Sequence, residues 1–281
     1  MYRNTVPARQ LATWLCAALI PPLIQMSANL GWATAGAISL VCNGVVFAVW
    51  KWGLMSRHPV FACVKCLYII VLLWSLLPYA AASWPGNHDP AVPLILLALA
   101  AWSANKGAAA AARVGCVLFW IVLLIYLGVL ASGTPQIKPS WLKPTFSPDL
   151  WPTVALLLSP CTVLMLHQEG KGWSPRLLLP GVILTAAAAV TAGILSPKLT
   201  ETITDPFYTA VKSLTLLGVA QHFEAILSAA MTVGWFCLMA LLLSASGAYA
   251  QTIKPGWERK GLWLTAGLSA LGLLCKLHIF W

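Results

Sequence analysis

The apolar positions of this chain fall in long, nearly unbroken runs, not in the alternating or one-faced patterns of soluble strands and helices. About 20 apolar residues are needed to cross the hydrocarbon of a bilayer. Runs of that order occupy roughly 10–27, 32–52, 61–83, 91–105, 112–132, 150–168, 176–196, 220–250 and 261–280. The fourth is short and the eighth long. The pattern predicts an all-α, polytopic transmembrane bundle of about nine spans. If the runs alternate in direction, the two longest polar connections, 133–149 and 197–219, fall on the same side. The first, GTPQIKPSWLKPTFSPD, is proline-rich and is expected to be extended. The second contains DPFYTAVKSLTLLGVAQHF, whose near-helical spacing predicts an amphipathic helix lying across the mouth of the bundle.

Two of the runs carry internal prolines. The sixth, SPDLWPTVALLLSPCTVLMLHQ, is interrupted by Ser159-Pro160, and the first, LATWLCAALIPPLIQMSANLGW, by Pro21-Pro22. A proline removes a backbone donor and clashes with the carbonyl four residues back. At membrane depth the freed groups need protein, water or ligand as partners. Spans one and six correspond if the repeat unit is five helices, and paired interruptions in corresponding spans point to a transport site at the repeat interface. On this reading Pro21, Pro22, Ser159 and Pro160 shape a small-molecule site, with Gln25, Ser27 and Thr162 as supplementary polar contacts. The bland alternative for the first span is a kinked helix end with an ordinary exit loop after it. Glu224 opens the eighth span. It is either a site acid, as acids within spans usually are, or a solvated first-turn carboxylate favoured by the helix dipole.

Composition sharpens the class. Of 281 residues, 60% are hydrophobic and only 9% charged, against about 25% charged in soluble domains. The net charge of +10 follows topology, so nucleic acid is not an expected partner. With a cytoplasmic N-terminus, Arg3, Arg9, Lys51, Arg57, Lys65, Lys106, Arg113, Lys171, Arg176, Lys254, Arg259 and Lys260 lie inside, and Lys138, Lys143, Lys198, Lys212 and Lys276 outside. That is 12 against 5 of the 17 present. This bias predicts an N-inside, C-outside multi-pass protein of the bilayer. Tryptophans at span ends, such as Trp50, Trp84 and Trp151, fit an interfacial belt. The N-terminal segment lacks a small-residue cleavage site and is read as a retained span. The 8 cysteines lie in or beside apolar runs and give no disulfide framework. Cys63-Val-Lys-Cys66 is a lone pair without a second pair at metal spacing. With 7 scattered acids and no clustered nucleophile or base, neither an enzyme nor a cofactor is expected.

Several stretches resemble the spore germination permease family, the integral-membrane B subunits of nutrient-germinant receptors within the amino acid–polyamine–organocation transporter superfamily. They are VPARQLATWLCAALIPP, the segment WPGNHDPAVPLILLALAAWSANKGAAAAARVGCVLFWIVLLIYL, the loop PQIKPSWLKPTFSPDLWP, and DPFYTAVKSLTLLGVAQHFEAILSAAMTVGWF. In the last, Pro206, Phe207 and Tyr208, then Phe223, Glu224 and Ala225, are similar to the family's aromatic start and its Phe-Glu-Ala opening of span eight.

The resemblance implies one membrane domain over 1–281 with an inverted five-plus-five repeat, about 8–132 and a shorter 150–281, lacking the tenth span. It implies a pocket between spans one, three, six and eight for a small nutrient, most often an amino acid. It also implies assembly with A-type and C-type receptor subunits in a spore inner membrane or bacterial cell membrane, where binding triggers germination. Half-helix ends would hold the ligand's carboxylate and ammonium through backbone groups. The alternatives are a secondary amino acid or amine transporter and a non-binding membrane scaffold subunit.

Overall fold

A computed structural model describes residues 6–27, 30–51, 59–81, 91–142, 150–163, 166, 174–203, 205–214 and 223–280. The fold is all-helical, with no strand among the described residues. In chain order the helices are α1 (Ala8–Ser27), α2 (Trp32–Lys51), α3 (Pro59–Ala81), α4 (Ala91–Asn105), α5 (Ala108–Gly133), α6 (Trp151–Leu158), α7 (Pro160–Val163), α8 (Leu179–Leu195), α9 (Pro197–Thr202), α10 (Pro206–Ser213), α11 (Phe223–Ile253) and α12 (Glu258–Phe280). Short 3-10 turns sit at Thr134–Gln136, Pro139–Trp141 and Pro175–Leu178. Among the described residues, five segments are long and apolar enough to cross a membrane: Trp32–Lys51, Pro59–Ala81, Ala108–Gln136, Pro175–Leu195 and Ala225–Ile253.

The distribution of side chains is that of a multi-pass membrane protein. Large apolar residues point outward along α3 (Val60, Val64, Leu67, Val71, Trp74), α5 (Val117, Ile121, Leu124) and α12 (Leu264, Leu268, Leu271). Their spacing of three and four residues marks one face of each helix. Hydroxyls lie inside, at Thr13, Thr191, Ser228, Ser244 and Ser246. A soluble protein distributes these the other way. Several inward hydroxyls are satisfied within their own helices, as in Thr13 Oγ1 to Arg9 O at 2.7 Å, Thr191 Oγ1 to Ala187 O at 2.7 Å and Ser244 Oγ to Ala240 O at 2.7 Å. Such pairing spares a hydroxyl the cost of burial away from water, though those of Ser39 and Ser269 are buried without a partner among the described residues.

The core is a pair of helices, α1 and α11. Every residue of α1 from Leu11 to Ile24 is buried. Against this pair pack α5 and α8 on the α1 side and α3, α4, α5 and α12 on the α11 side, while α2 packs on α8 and α6. In lipid no hydrophobic driving force separates helix contact from lipid contact, so small residues that permit close approach decide the seams. Gly115 of α5 receives the Trp14 indole, and Gly234 of α11 receives the Pro21 ring. Gly181 of α8 leaves room for Ser39 of α2, whose Cβ a methyl at position 181 would meet at 2.8 Å. The α4–α5 and α11–α12 connections are tight because Gly107 (φ 106°) and Gly256 (φ 85°) adopt left-handed backbone that side chains disfavour.

Helix direction gathers Arg9, Lys51, Lys106, Arg113, Arg176, Lys254, Arg259 and Lys260 at one end of the bundle. Lys138, Lys198 and Lys212 lie at the other. At that second end the connection expected to be extended begins with two 3-10 turns, and Lys138 N donates to Gly193 O at 3.0 Å, while 143–149 lie outside the described residues. Of the amphipathic stretch that starts at Asp205, Pro206–Ser213 forms the short helix α10, and 215–222 lie outside the described residues. Pro206 cannot continue a helix from before it, and Phe207 is instead buried, stacked on Tyr126 with ring centroids 6.1 Å apart.

Candidate functional site

The expected break in the sixth run is present, and its local chemistry is legible. Pro160 has no N–H to give to the carbonyl of Leu156, four residues back. Leu156 O is served instead by Ser159, through its N–H at 3.1 Å and its hydroxyl at 2.7 Å. The next turn repeats the device: Thr162 donates both its N–H (2.9 Å) and its hydroxyl (2.7 Å) to Ser159 O. These bonds span three residues, not four, so the segment is wound tightly and α6 ends there, leaving the four-residue α7.

The carbonyl of Thr162 is met from across the bundle. Tyr249 of α11 donates its hydroxyl to Thr162 O at 2.7 Å. Lys65 of α3 lies over the same tyrosine ring, its Nζ 5.3 Å from the centroid. One residue on, Cys66 Sγ contacts Ser246 O at 3.7 Å. Cys161 is half-buried within electrostatic range of Lys65 and Cys42. Just past the break, Val6 N donates to Leu166 O at 2.8 Å, tying the chain's lead to the exit of the broken segment. Ser159, Pro160, Thr162, Tyr249, Lys65 and Cys161 thus form one neighbourhood between α3, α7 and α11.

Pro21 and Pro22 behave differently. α1 runs through them without interruption, to Ser27. Both rings are buried, and the seam with α11 is closed by Pro21 on Gly234. One turn on, Gln25 clamps three helices: its Nε2 donates to Tyr79 O at 2.9 Å, and its Oε1 accepts from Trp235 Nε1 at 2.7 Å. Trp235 and Tyr249 are 249 − 235 = 14 residues apart on α11, about 21 Å along a helix axis. Gln25 and Thr162 therefore serve two separate contacts. The side chains of Ser27 and Glu224 lie outside the described residues.

Sequence reasoning passed over Tyr249, Trp235 and the inward turn of Lys65. Their signals were slight: a lone aromatic in SASGAYA, and a cation between Cys63 and Cys66 at the head of a long apolar run. The two thiols of that pair diverge, Cys63 being exposed while Cys66 faces α11. Among the described residues no group of three or more His, Cys, Asp or Glu is arranged to hold a metal. The neighbourhood holds hydroxyls and carbonyls bonded to one another, one ammonium and an aromatic face. No family model matches this chain, and no curated protein is significantly similar to it.

Proposed function

We propose that this chain is a small-nutrient-binding membrane subunit built on an inverted five-plus-five repeat, and that its ligand engages the broken segment Ser159–Thr162 beside α1 and α11. The observation that carries the reading is the pattern of helix contacts. Take the broken segment α6/α7 as the counterpart of α1, α8 of α2, α11 of α3, and α12 of α4. Several of the helix contacts then fall into mirrored pairs. Each counterpart pair is in contact: α1 with α6, α2 with α8, α3 with α11, α4 with α12. Three cross-contacts also have a mirror partner: α4–α11 with α12–α3, α1–α8 with α6–α2, and α3–α4 with α11–α12, while the extensive α1–α11 seam has no α3–α6 or α3–α7 counterpart of similar extent. An up-down bundle without internal symmetry has no reason to pair its contacts in this way, and folds that have this symmetry bind solute where the first helices of the two repeats meet.

The resemblance to the spore germination permeases supplies the ligand class, most often an amino acid, and the partners, A-type and C-type subunits. The cationic end of the bundle faces the cytoplasm under the positive-inside rule, which leaves the N-terminus inside. Ligand-driven signalling needs only differential affinity for two conformations, so sensing does not require net transport.

The test is a thermal-shift screen of the purified protein against amino acids, nucleosides and sugars. A ligand for the folded state raises stability by about RT ln(1 + [L]/Kd). The reading predicts a saturable shift with at least one small nutrient, weakened in T162A. Absence of a shift with every compound, from folded protein, would favour the scaffold alternative, to be followed by co-purification with partner subunits.

A further inference from the structure

Among the described residues, every lysine and arginine is exposed except Lys65, which is half-buried. It stands six residues into α3, which begins at Pro59, or about 9 Å from that helix end. Its ammonium does not reach outward as a snorkelling lysine does. It turns inward onto the Tyr249 face. The tyrosine hydroxyl is already committed to Thr162 O, so the ring is fixed in place and offers only its π surface. The carboxylates whose side chains are described, Asp205 and Glu258, form no ion pair with Lys65, and Lys65 makes no hydrogen bond to a described residue. An ammonium carries three donors, and a charge drawn from water at membrane depth calls for an opposing charge. A ring face at 5.3 Å answers only part of that demand.

We infer that Lys65 anchors an anionic group, a carboxylate or a phosphate, in the angle between α3, α7 and α11. The inference rests on reading the break as a binding region, and it adds the charge class of what binds there. The anion has two sources with one chemistry. It is the carboxylate of a soluble ligand passing the broken helix, or the phosphate of an anionic lipid entering from the bilayer between α3 and α7. Tyr249 positions the ammonium, and Thr162 O fixes Tyr249, so occupation by an anion is felt at the helix break itself.

The experiment is amine footprinting of the wild-type protein by mass spectrometry, following acylation of Lys65 against exposed lysines as internal references. One arm compares acetate or inorganic phosphate with chloride at equal ionic strength. The other compares vesicles of phosphatidylglycerol and phosphatidylcholine with phosphatidylcholine alone. The expected result is several-fold slower acylation of Lys65 in at least one arm, the arm identifying the source, with the reference lysines unchanged. Equal acylation in both arms overturns the inference. In parallel, K65M should lose the thermal stabilisation conferred by the protecting anion while K65R keeps it, and an undiminished response in K65M also overturns it. The two readings fail separately. Nutrient-induced stabilisation that survives in K65M leaves the proposed function standing without the anchor. Protection by anionic lipid alone, with no nutrient response, leaves the anchor standing without that function.

Discussion

Substitution of Gly234 by alanine probes the seam on which the whole bundle closes. A methyl at this position of α11 falls inside contact distance of the Cβ, Cγ and Cδ of Pro21. The proline has little room to yield. Its ring fixes its own backbone torsion, and its helix is buried on all sides from Leu11 to Ile24. Overpacking of this kind costs about 1–3 kcal/mol. A gain of opposite sign must be removed first, because alanine is favoured over glycine in a helix interior by about 1 kcal/mol. Gly128 of α5 supplies the control: a methyl there meets nothing within 4 Å, so G128A carries the propensity gain alone. The difference between G234A and G128A isolates the steric cost, and G234A should be the less stable of the two by about 1–3 kcal/mol. At roughly 2–4 °C per kcal/mol for chains approaching this size, the melting temperatures should separate by about 2–12 °C. Thermal unfolding of both variants in the same detergent measures it. Equal melting temperatures, or a more stable G234A, would refute close α1–α11 packing at Pro21.

Two further outcomes follow from the clamp and from the charge distribution. In a double-mutant cycle, Q25L and W235F should each destabilise by about 0.6–2 kcal/mol. Their combination should cost clearly less than the sum because they share one hydrogen bond; full additivity in thermal unfolding would show that the bond is absent. In a background without native cysteines, a cysteine replacing Lys138 should react with an impermeant maleimide in intact cells, and one replacing Lys254 only after permeabilisation. The reverse pattern would overturn the proposed orientation.

Much of this architecture could be read in advance because bilayer-crossing helices announce themselves by length. The segments around α2, α3, α5, α8 and α11 were visible as apolar runs, and the Ser159-Pro160 break as an interruption of one. The effect of Pro21-Pro22 was not. Whether a proline pair breaks a helix depends on what surrounds it, and here α1 is held through the pair by α5 and α11, with Gly234 making room for the ring. Nor could Gln25 be assigned from composition. A polar side chain in a span is equally a ligand contact or a clamp, and only its neighbours, Tyr79 and Trp235, distinguish the two. Tyr249 meets the break from 87 residues away, a separation at which one sequence carries no pairing signal. Within the amphipathic stretch, the burial of Phe207 against Tyr126 is a long-range packing event that periodicity does not register.

The most direct measurement of the central proposal uses a reporter that the protein already carries. Cys161 sits half-buried between Pro160 and Thr162, so a ligand seated at the break covers it. The rate of its alkylation by a small neutral thiol reagent should be followed by mass spectrometry, with the exposed Cys63 and Cys275 replaced by serine and Cys116 as the internal reference. A saturating mixture of the proteinogenic amino acids should slow alkylation of Cys161 several-fold and leave Cys116 unchanged. Unchanged alkylation of Cys161, from protein that remains folded throughout, would contradict an amino-acid site at the broken segment.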